Sequence, residues 1–317
     1  LIKGAEYCPL NTVLRSRCIV EAFVVFGVRL RQAFVDCIRR STLLLASVIC
    51  LWGATFHAGW AVAQSQSDTL RQPRVVIIID DIGNSYEQGL AAVNLPGPVT
   101  YAVLPFSAHG KELATIAHQR GKELMLHAPM SNTHHFRLGP GALTDALGEQ
   151  EFKRVLNRSL DDIPFAIGLN NHMGSLLTQK EEPMRWVMQV AKKRNLFFVD
   201  SRTTAKSIAW EVARATGVPT FKRDIFLDHQ QTREFLQSQF FKAIRIARHY
   251  GQAIMIGHPY PITTEFLAEA IPVLDEAGVQ LVSVSALLMM QHEQRRFAQT
   301  QHSECDSTEG YHCQGNE

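Results

Sequence analysis

Asp80 and Asp81 stand side by side at the end of the apolar run Val75-Val76-Ile77-Ile78-Ile79, just before Ile82-Gly83. Two carboxylates at the close of a buried strand repel each other and lose solvation, which a purely structural role does not require. A cation resolves the conflict, since one carboxylate can bind it while the other handles a proton. The competing reading is an Asp-Asp pair that opens a turn and caps the next helix. More polar residues end later apolar runs: His127 in Glu123-Leu-Met-Leu-His-Ala-Pro-Met130, His172 in Gly168-Leu-Asn-Asn-His-Met-Gly-Ser175, Asp200 in Phe197-Phe-Val-Asp-Ser-Arg202 and His258 in Ile254-Met-Ile-Gly-His-Pro-Tyr-Pro261.

Each has a plainer alternative. His127 could be a core histidine bonded to backbone, Asn170–Gly174 a turn, and Asp200-Ser201 a helix cap. Asp224, Asp228 and His229 could belong to a solvated loop, and His134-His135 to a loop surface. Taken together, one Asp and two His around a cation, with positions left open for water, make a hydrolytic metal site of the zinc or iron type. A second carboxylate would take the proton of water and a histidine opposite would protonate a leaving amine. Asp80, Asp81 and His258 suit those tasks.

The elements that must position these residues alternate. Strands are expected at 75–80, 99–104, 123–127, 165–169, 196–200, 218–222, 253–257 and 279–284, with helices between them. Gly121, Gly217, Gly251 and Gly278 mark helix ends. This order predicts a parallel (β/α) barrel, irregular and of seven to eight strands, whose site lies at the carboxyl ends of the strands. Neither a dinucleotide fingerprint nor a P-loop follows the first strand. The connection from Ser131 to Leu147, with Gly139-Pro140-Gly141, is long enough to be functional.

The 317 residues are 46% hydrophobic and 20% charged with a net charge of +2, values of a soluble globular chain without a nucleic-acid footprint. Arg39-Arg40, the apolar run from Leu43 to Ala54 and Ala61-Val62-Ala63 before Gln64 have the order of an export signal. Read more widely, residues 42–63 could anchor the chain in a membrane. The residues before Arg39 read as an over-extended start. The expected domains are therefore 1–63 as extension and signal, 64–74 as linker, 75–290 as barrel and 291–317 as a polar, disordered tail. The predicted location is periplasmic or otherwise extracytoplasmic, where Cys305 and Cys313 could pair. No cysteine falls between Gln64 and Glu304, so the barrel offers neither a thiol nucleophile nor a cysteine-ligated metal.

Ile-Ile-Asp-Asp at the first strand end, with His, Asp and His at later ones, resembles the polysaccharide deacetylase superfamily. Leu-His-Ala-Pro-Met (126–130), Asn-Asn-His-Met-Gly-Ser (170–175), Val-Asp-Ser-Arg-Thr (199–203) and Gly-His-Pro (257–259) resemble, more narrowly, the divergent polysaccharide deacetylases of bacterial exported proteins. The resemblance implies an irregular (β/α) barrel that removes N- or O-acetyl groups from a cell-envelope or extracellular glycan with zinc or a similar divalent metal. Under it, Asp80 is the general base, Asp81 a metal ligand, His127 the first histidine ligand and His258 the acid. Asp200 is expected as a further catalytic residue, and Asn171, Arg202 and Tyr260 as substrate-binding residues. The family's His-x-x-x-His element is broken, because Ser131 stands four residues after His127, and His172 is the expected replacement ligand. Arg-x-Pro-x-Gly is also replaced, by Asn170–Gly174. Two rivals remain: a catalytically weak or inactive barrel binding a glycan or envelope partner, and a metal-dependent hydrolase of another amide or ester.

Overall fold

The computed structural model describes residues 72–307, with side chains to residue 300. The expected export signal and anchor, the linker to residue 71, and the Cys305–Cys313 pair lie outside the described residues and side chains. Among the described residues, no helix is long and apolar enough to cross a membrane.

In chain order the elements are β1 (Arg74–Ile82), α1 (Tyr86–Val93), β2 (Thr100–Val103), α2 (Gly110–Gln119), β3 (Glu123–Met130), α3 (Glu149–Asp162), β4 (Gly168–Met173), α4 (Glu181–Lys193), β5 (Phe197–Asp200) and α5 (Ala209–Thr216). They continue with β6 (Thr220–Lys222), β7 (Ile225–Phe226), α6 (Arg233–Tyr250), β8 (Gln252–Gly257), α7 (Pro261–Glu276), β9 (Gln280–Leu281) and α8 (Val284–Ser307). Local chemistry sets several boundaries. Ser85 and Thr232 cap α1 and α6 with their hydroxyls. Gly217 and Gly251 close α5 and α6 in the left-handed region, where a Cβ is costly.

All strand pairs are parallel, in the order β6-β5-β4-β3-β2-β1-β8-β7, with β9 added beside β1. The two ends of that order, β6 and β7, belong to one extended segment. Arg223 N donates to Asp200 O on the β5 side, and Asp224 N donates to Ile254 O on the β8 side. The segment thus changes partner at Arg223-Asp224 and closes the sheet into an irregular barrel. The expected strand 165–169 is corrected to 168–173, which brings Asn170 to His172 into the strand. The expected last strand, 279–284, shrinks to two residues outside the ring.

Alternate residues of the strands feed two separate cores. Val75, Ile77, Ile79, Leu124, Leu126, Leu169 and Phe198 pack outward against the helices. Val76, Ile78, Ala102, Met125, Val199, Phe221, Ile254 and Ile256 fill the inside, where Val284 and Leu287 of α8 join them. Gly168 lies in the inward row, where a Cβ would meet the Phe197 ring. The lower mouth is plugged by the start of α8. The Glu123 carboxylate accepts from Val284 N (3.0 Å) and Ser285 N (3.2 Å), and also from the Thr100 hydroxyl (2.9 Å). It satisfies amides that the helix start leaves without partners. The expected disordered tail is corrected in part, since residues 291–307 continue α8.

Glu123→Ala is expected to lower unfolding free energy by about 2 kcal/mol by orphaning these amides. Denaturant unfolding beside Glu123→Gln measures it, and an unchanged midpoint would remove Glu123 from this role.

Candidate metal centre

The site forms where the inner row of each strand reaches the upper mouth. Continuing inward from Ile78, Met125, Phe221 and Ile256 come Asp80, His127, Arg223 and His258, while β4 supplies Asn170 and His172. Asp81 would alternate to the outer face but for an irregularity in β1. Ile79 pairs with Tyr101 and Ile82 with Val103, so β1 uses three steps where β2 uses two. Asp81 absorbs the extra residue with a φ of 57°. A bulge of this kind re-aims a side chain at the cost of backbone strain.

The re-aimed carboxylate meets two imidazoles. Asp81 Oδ1 lies 2.8 Å from His172 Nδ1 and 3.1 Å from His127 Nε2, and the two nitrogens are 3.1 Å apart. Tetrahedral zinc bonds of about 2.0–2.1 Å place ligand atoms roughly 3.3 Å apart, so this triangle is compact but of the right size. Asp81 Oδ1 is buried and receives no hydrogen bond of good geometry, although both rings are near. Three groups with electron pairs to give, converging on one point, fit a cation. Among the described residues, Asp81, His127 and His172 form the group able to hold a metal.

Neighbouring residues fix the donors. His127 Nδ1 donates to Asn170 Oδ1 (2.6 Å), which leaves the Nε2 lone pair toward Asp81, and Asn170 Nδ2 donates to Asp80 Oδ1 (2.7 Å). The His258 ring bonds through Nδ1 to Asp228 Oδ1 (2.9 Å), while Asp228 Oδ2 accepts from His258 N (2.6 Å) and from the Thr263 hydroxyl (3.0 Å). His258 Nε2 then faces Asp81 Oδ2 at 4.0 Å. Phe226 and Tyr260 flank the His258 ring, at centroid distances of 5.4 and 5.6 Å.

Burial divides the two aspartates. It raises the Asp80 pKa, against the opposing charges of His127 and His258 and the Asn170 bond. Burial also works against ionisation of Asp81, but the close imidazoles of His127 and His172 and their charge overcome it and hold that carboxyl well below the usual range. Burial alone would lower the His258 pKa. The Asp228 bond and charge, with the Asp81 and Asp80 charges, instead push it up to about 9.

Three expected site residues stand elsewhere. Asp200 is fully buried but falls in the outward row beside Phe198. It accepts from Arg202 N (2.8 Å) and the Ser207 hydroxyl (2.7 Å), which makes it a brace for the turn into α5. Asn171, one residue from the inward row, accepts from Ser201 N (2.9 Å) and donates to Met173 O (2.7 Å). The Arg202 guanidinium donates to Ala205 O (3.2 Å) within its own turn. Ser131 reaches toward Asp145 Oδ1 (3.4 Å), His134 stacks on Phe136, and Tyr101 is buried with its hydroxyl on Ala92 O. Sequence reasoning left Asn170, Asp228 and Arg223 out of the site, weighing Asn170 against a turn and Asp228 against a solvated loop. The Arg223 guanidinium binds Ser201 O (2.6 Å) and Arg202 O (2.8 Å), lies over Phe226, and is in the field of both Asp80 and Asp200. The one signal for Asn170 was its spacing of two from His172, which shares a strand face only if the strand extends that far.

Removing the amide that orients His127, in Asn170→Ala, is expected to weaken metal binding about 10–100-fold. Asp200→Ala is expected to lower stability by about 2 kcal/mol and leave metal affinity within a factor of two. Metal titration with thermal unfolding separates the pair; the reverse pattern would exchange their roles. In the metal-free protein, Asp228→Asn is expected to bring the His258 titration down from about 9, as followed by imidazole NMR shifts, and an unmoved titration would deny Asp228 its part.

Comparison with known proteins agrees with this architecture. Residues 77–288 match the family model for divergent polysaccharide deacetylases. The chain is 36% identical over 215 residues to the uncharacterized protein YibQ of Escherichia coli (strain K12), covering 68% of this chain and 67% of that one. It is 32% identical over 228 residues to an uncharacterized protein of Haemophilus influenzae, covering 72% of this chain and 81% of that one. The crystal structure of the uncharacterized protein ATU2773 from Agrobacterium tumefaciens C58 aligns with a TM-score of 0.66 at 25% identity, over 68% of this chain and 89% of that one. With its match running from the first barrel strand into α8, this chain belongs to the divergent polysaccharide deacetylase family.

Proposed function

We propose that the protein is an exported, metal-dependent carbohydrate deacetylase that hydrolyses N- or O-acetyl groups on a cell-envelope or extracellular glycan. One observation carries the reading: Asp81 Oδ1, His127 Nε2 and His172 Nδ1 converge between a buried second carboxylate, Asp80, and the His258–Asp228 pair. Export rests on the arginine pair, apolar run and Ala-Val-Ala of residues 39–63. Zinc suits one carboxylate and two imidazoles with a side left open to solvent. When bound, such an ion acidifies water and polarises a carbonyl oxygen.

The chain's own groups account for the proton traffic. Asp80 is held by Asn170 through Oδ1, which leaves Oδ2 to take a proton from water attacking the acetyl carbonyl. Its burial favours the protonated product of that step. His258 keeps one proton on Nδ1 against Asp228 and presents Nε2–H to the site. Donation from there to the leaving nitrogen or oxygen lets the bond to the acetyl carbon break, yielding acetate and a free amine or hydroxyl. Tyr260 beside His258 offers a ring face to a sugar. His172 supplies the ligand that Ser131 cannot, which favours this reading over an inactive barrel.

Purified protein is expected to carry close to one zinc by elemental mass spectrometry, and Asp81→Ala and His172→Ala to lose it. Acetate release from acetylated glycans is expected to fall about 10²–10⁴-fold in His258→Ala with zinc retained. Absence of metal after reconstitution would defeat the mechanism, and metal without acetate release from any acetylated glycan would favour a binding barrel.

A further inference from the structure

Beside the metal centre lies a hollow of about 240 Å³, with His172 at its edge and Asn84, Ser107, Pro105, Arg137 and Pro140 among its walls. It is smaller than the roughly 300–1,000 Å³ of drug-sized ligand sites, which suits a single sugar ring. His172 joins the two regions: its Nδ1 faces Asp81 and its ring borders the hollow.

The wall that carries Arg137 is built rather than loose. Asn132 Oδ1 accepts from His134 N (3.1 Å) and Phe136 N (2.9 Å), and its Nδ2 donates to Phe136 O (3.0 Å). At the far end, Leu143 N donates to Pro129 O (2.8 Å) and Ser131 N to Leu143 O (3.0 Å). Gly141 abuts Pro105, Phe106 and Ser159 so closely that a Cβ would crowd all three. The strap from Asn132 to Leu143 is thus tied at both ends and pressed against the loop after β2.

Arg137 is the one lining residue with a permanent charge, and it makes no hydrogen bond or ion pair with any described residue. No carboxylate lines the hollow to answer it. A fork of guanidinium donors beside apolar walls matches a carboxylate in two parallel hydrogen bonds. It also offsets the repulsion that Asp80 and Asp81 would exert on an anionic substrate. We infer that the hollow is a subsite for a carboxylate-bearing sugar ring next to the acetylated position, read by Arg137. The assignment rests on the glycan reading above and narrows it to acidic glycans.

The test measures binding of an N- or O-acetylated uronic-acid trisaccharide, its carboxyl-reduced neutral counterpart and a sulfated analogue to the full zinc-loaded protein. The unaltered protein is expected to bind the acid about fivefold more tightly than the neutral sugar, the upper scale of one solvent-touched charge pair. Arg137→Gln is expected to abolish that preference while retaining zinc content, and Arg137→Lys to recover only part of it. Equal binding of acid and neutral sugars, a preference that survives Arg137→Gln, or stronger binding of the sulfated analogue would overturn the assignment. Acetate release is scored separately. Hydrolysis of acid and neutral substrates alike, without a binding preference, would end this inference and keep the enzyme reading. Arg137-dependent binding without acetate release would do the opposite.

Discussion

Two adjacent carboxylates at the end of a strand buried on both faces impose the constraint to which the upper half of this barrel responds. Unit charges about 4 Å apart repel by on the order of 4 kcal/mol at an effective dielectric of 20, and Asp80 and Asp81 cannot separate while β1 is hydrogen-bonded on both sides. The protein divides them. The bulge and the positive φ at Asp81 turn that carboxylate toward two imidazoles, while Asp80 stays in the inner row against an amide and near a guanidinium. One carboxyl is consequently kept ionised and the other is pushed toward its protonated form. That division is what a hydrolytic site needs, since one group must hold charge and the other must accept a proton.

The barrel turns this local division into a site by layering its interior. At the lower mouth, Glu123 and Thr100 hold the start of α8, which seals one end. The middle is filled by Val76, Ile78, Ala102, Met125, Val199 and Ile254. Above them the same inward rows carry Asp80, His127, Asn170, Arg223 and His258. The apolar middle keeps water from below, so the polar layer opens in one direction, past the strap that carries Arg137. The closing segment at Arg223-Asp224 matters for the same reason. It places Arg223 behind Asp80 and brings Asp228 beneath His258.

The missing second histidine shows how a parallel barrel accommodates change. Ser131 lies beyond the inward reach of β3 and turns toward Asp145, whereas β4 pairs Pro129 with His172 across the strand boundary. An imidazole from the neighbouring strand thus occupies the third corner of the triangle. Sequence could nominate His172, because histidine after a strand end is a chemically apt residue. That its Nδ1 comes within 3.1 Å of His127 Nε2 depends on strand register.

Sequence by itself determined the order of strands and helices and the barrel class, and it nominated Asp80, Asp81, His127, His172 and His258 as the residues able to do chemistry. These follow from local composition: apolar runs of strand length, glycine at helix ends, and carboxylates and imidazoles where those runs stop. Tertiary structure decided which face each residue occupies. Strands apolar on both faces carry no alternation that marks inside from outside, so Asp200 and Asn171 read as well as Asp80 and Asn170, and only register separates them. It also decided the partners across 30 residues or more, Asp228 for His258 and Asn170 for Asp80. Such pairs leave no trace in spacing because they form through the closure of the ring, which depends on every strand between them.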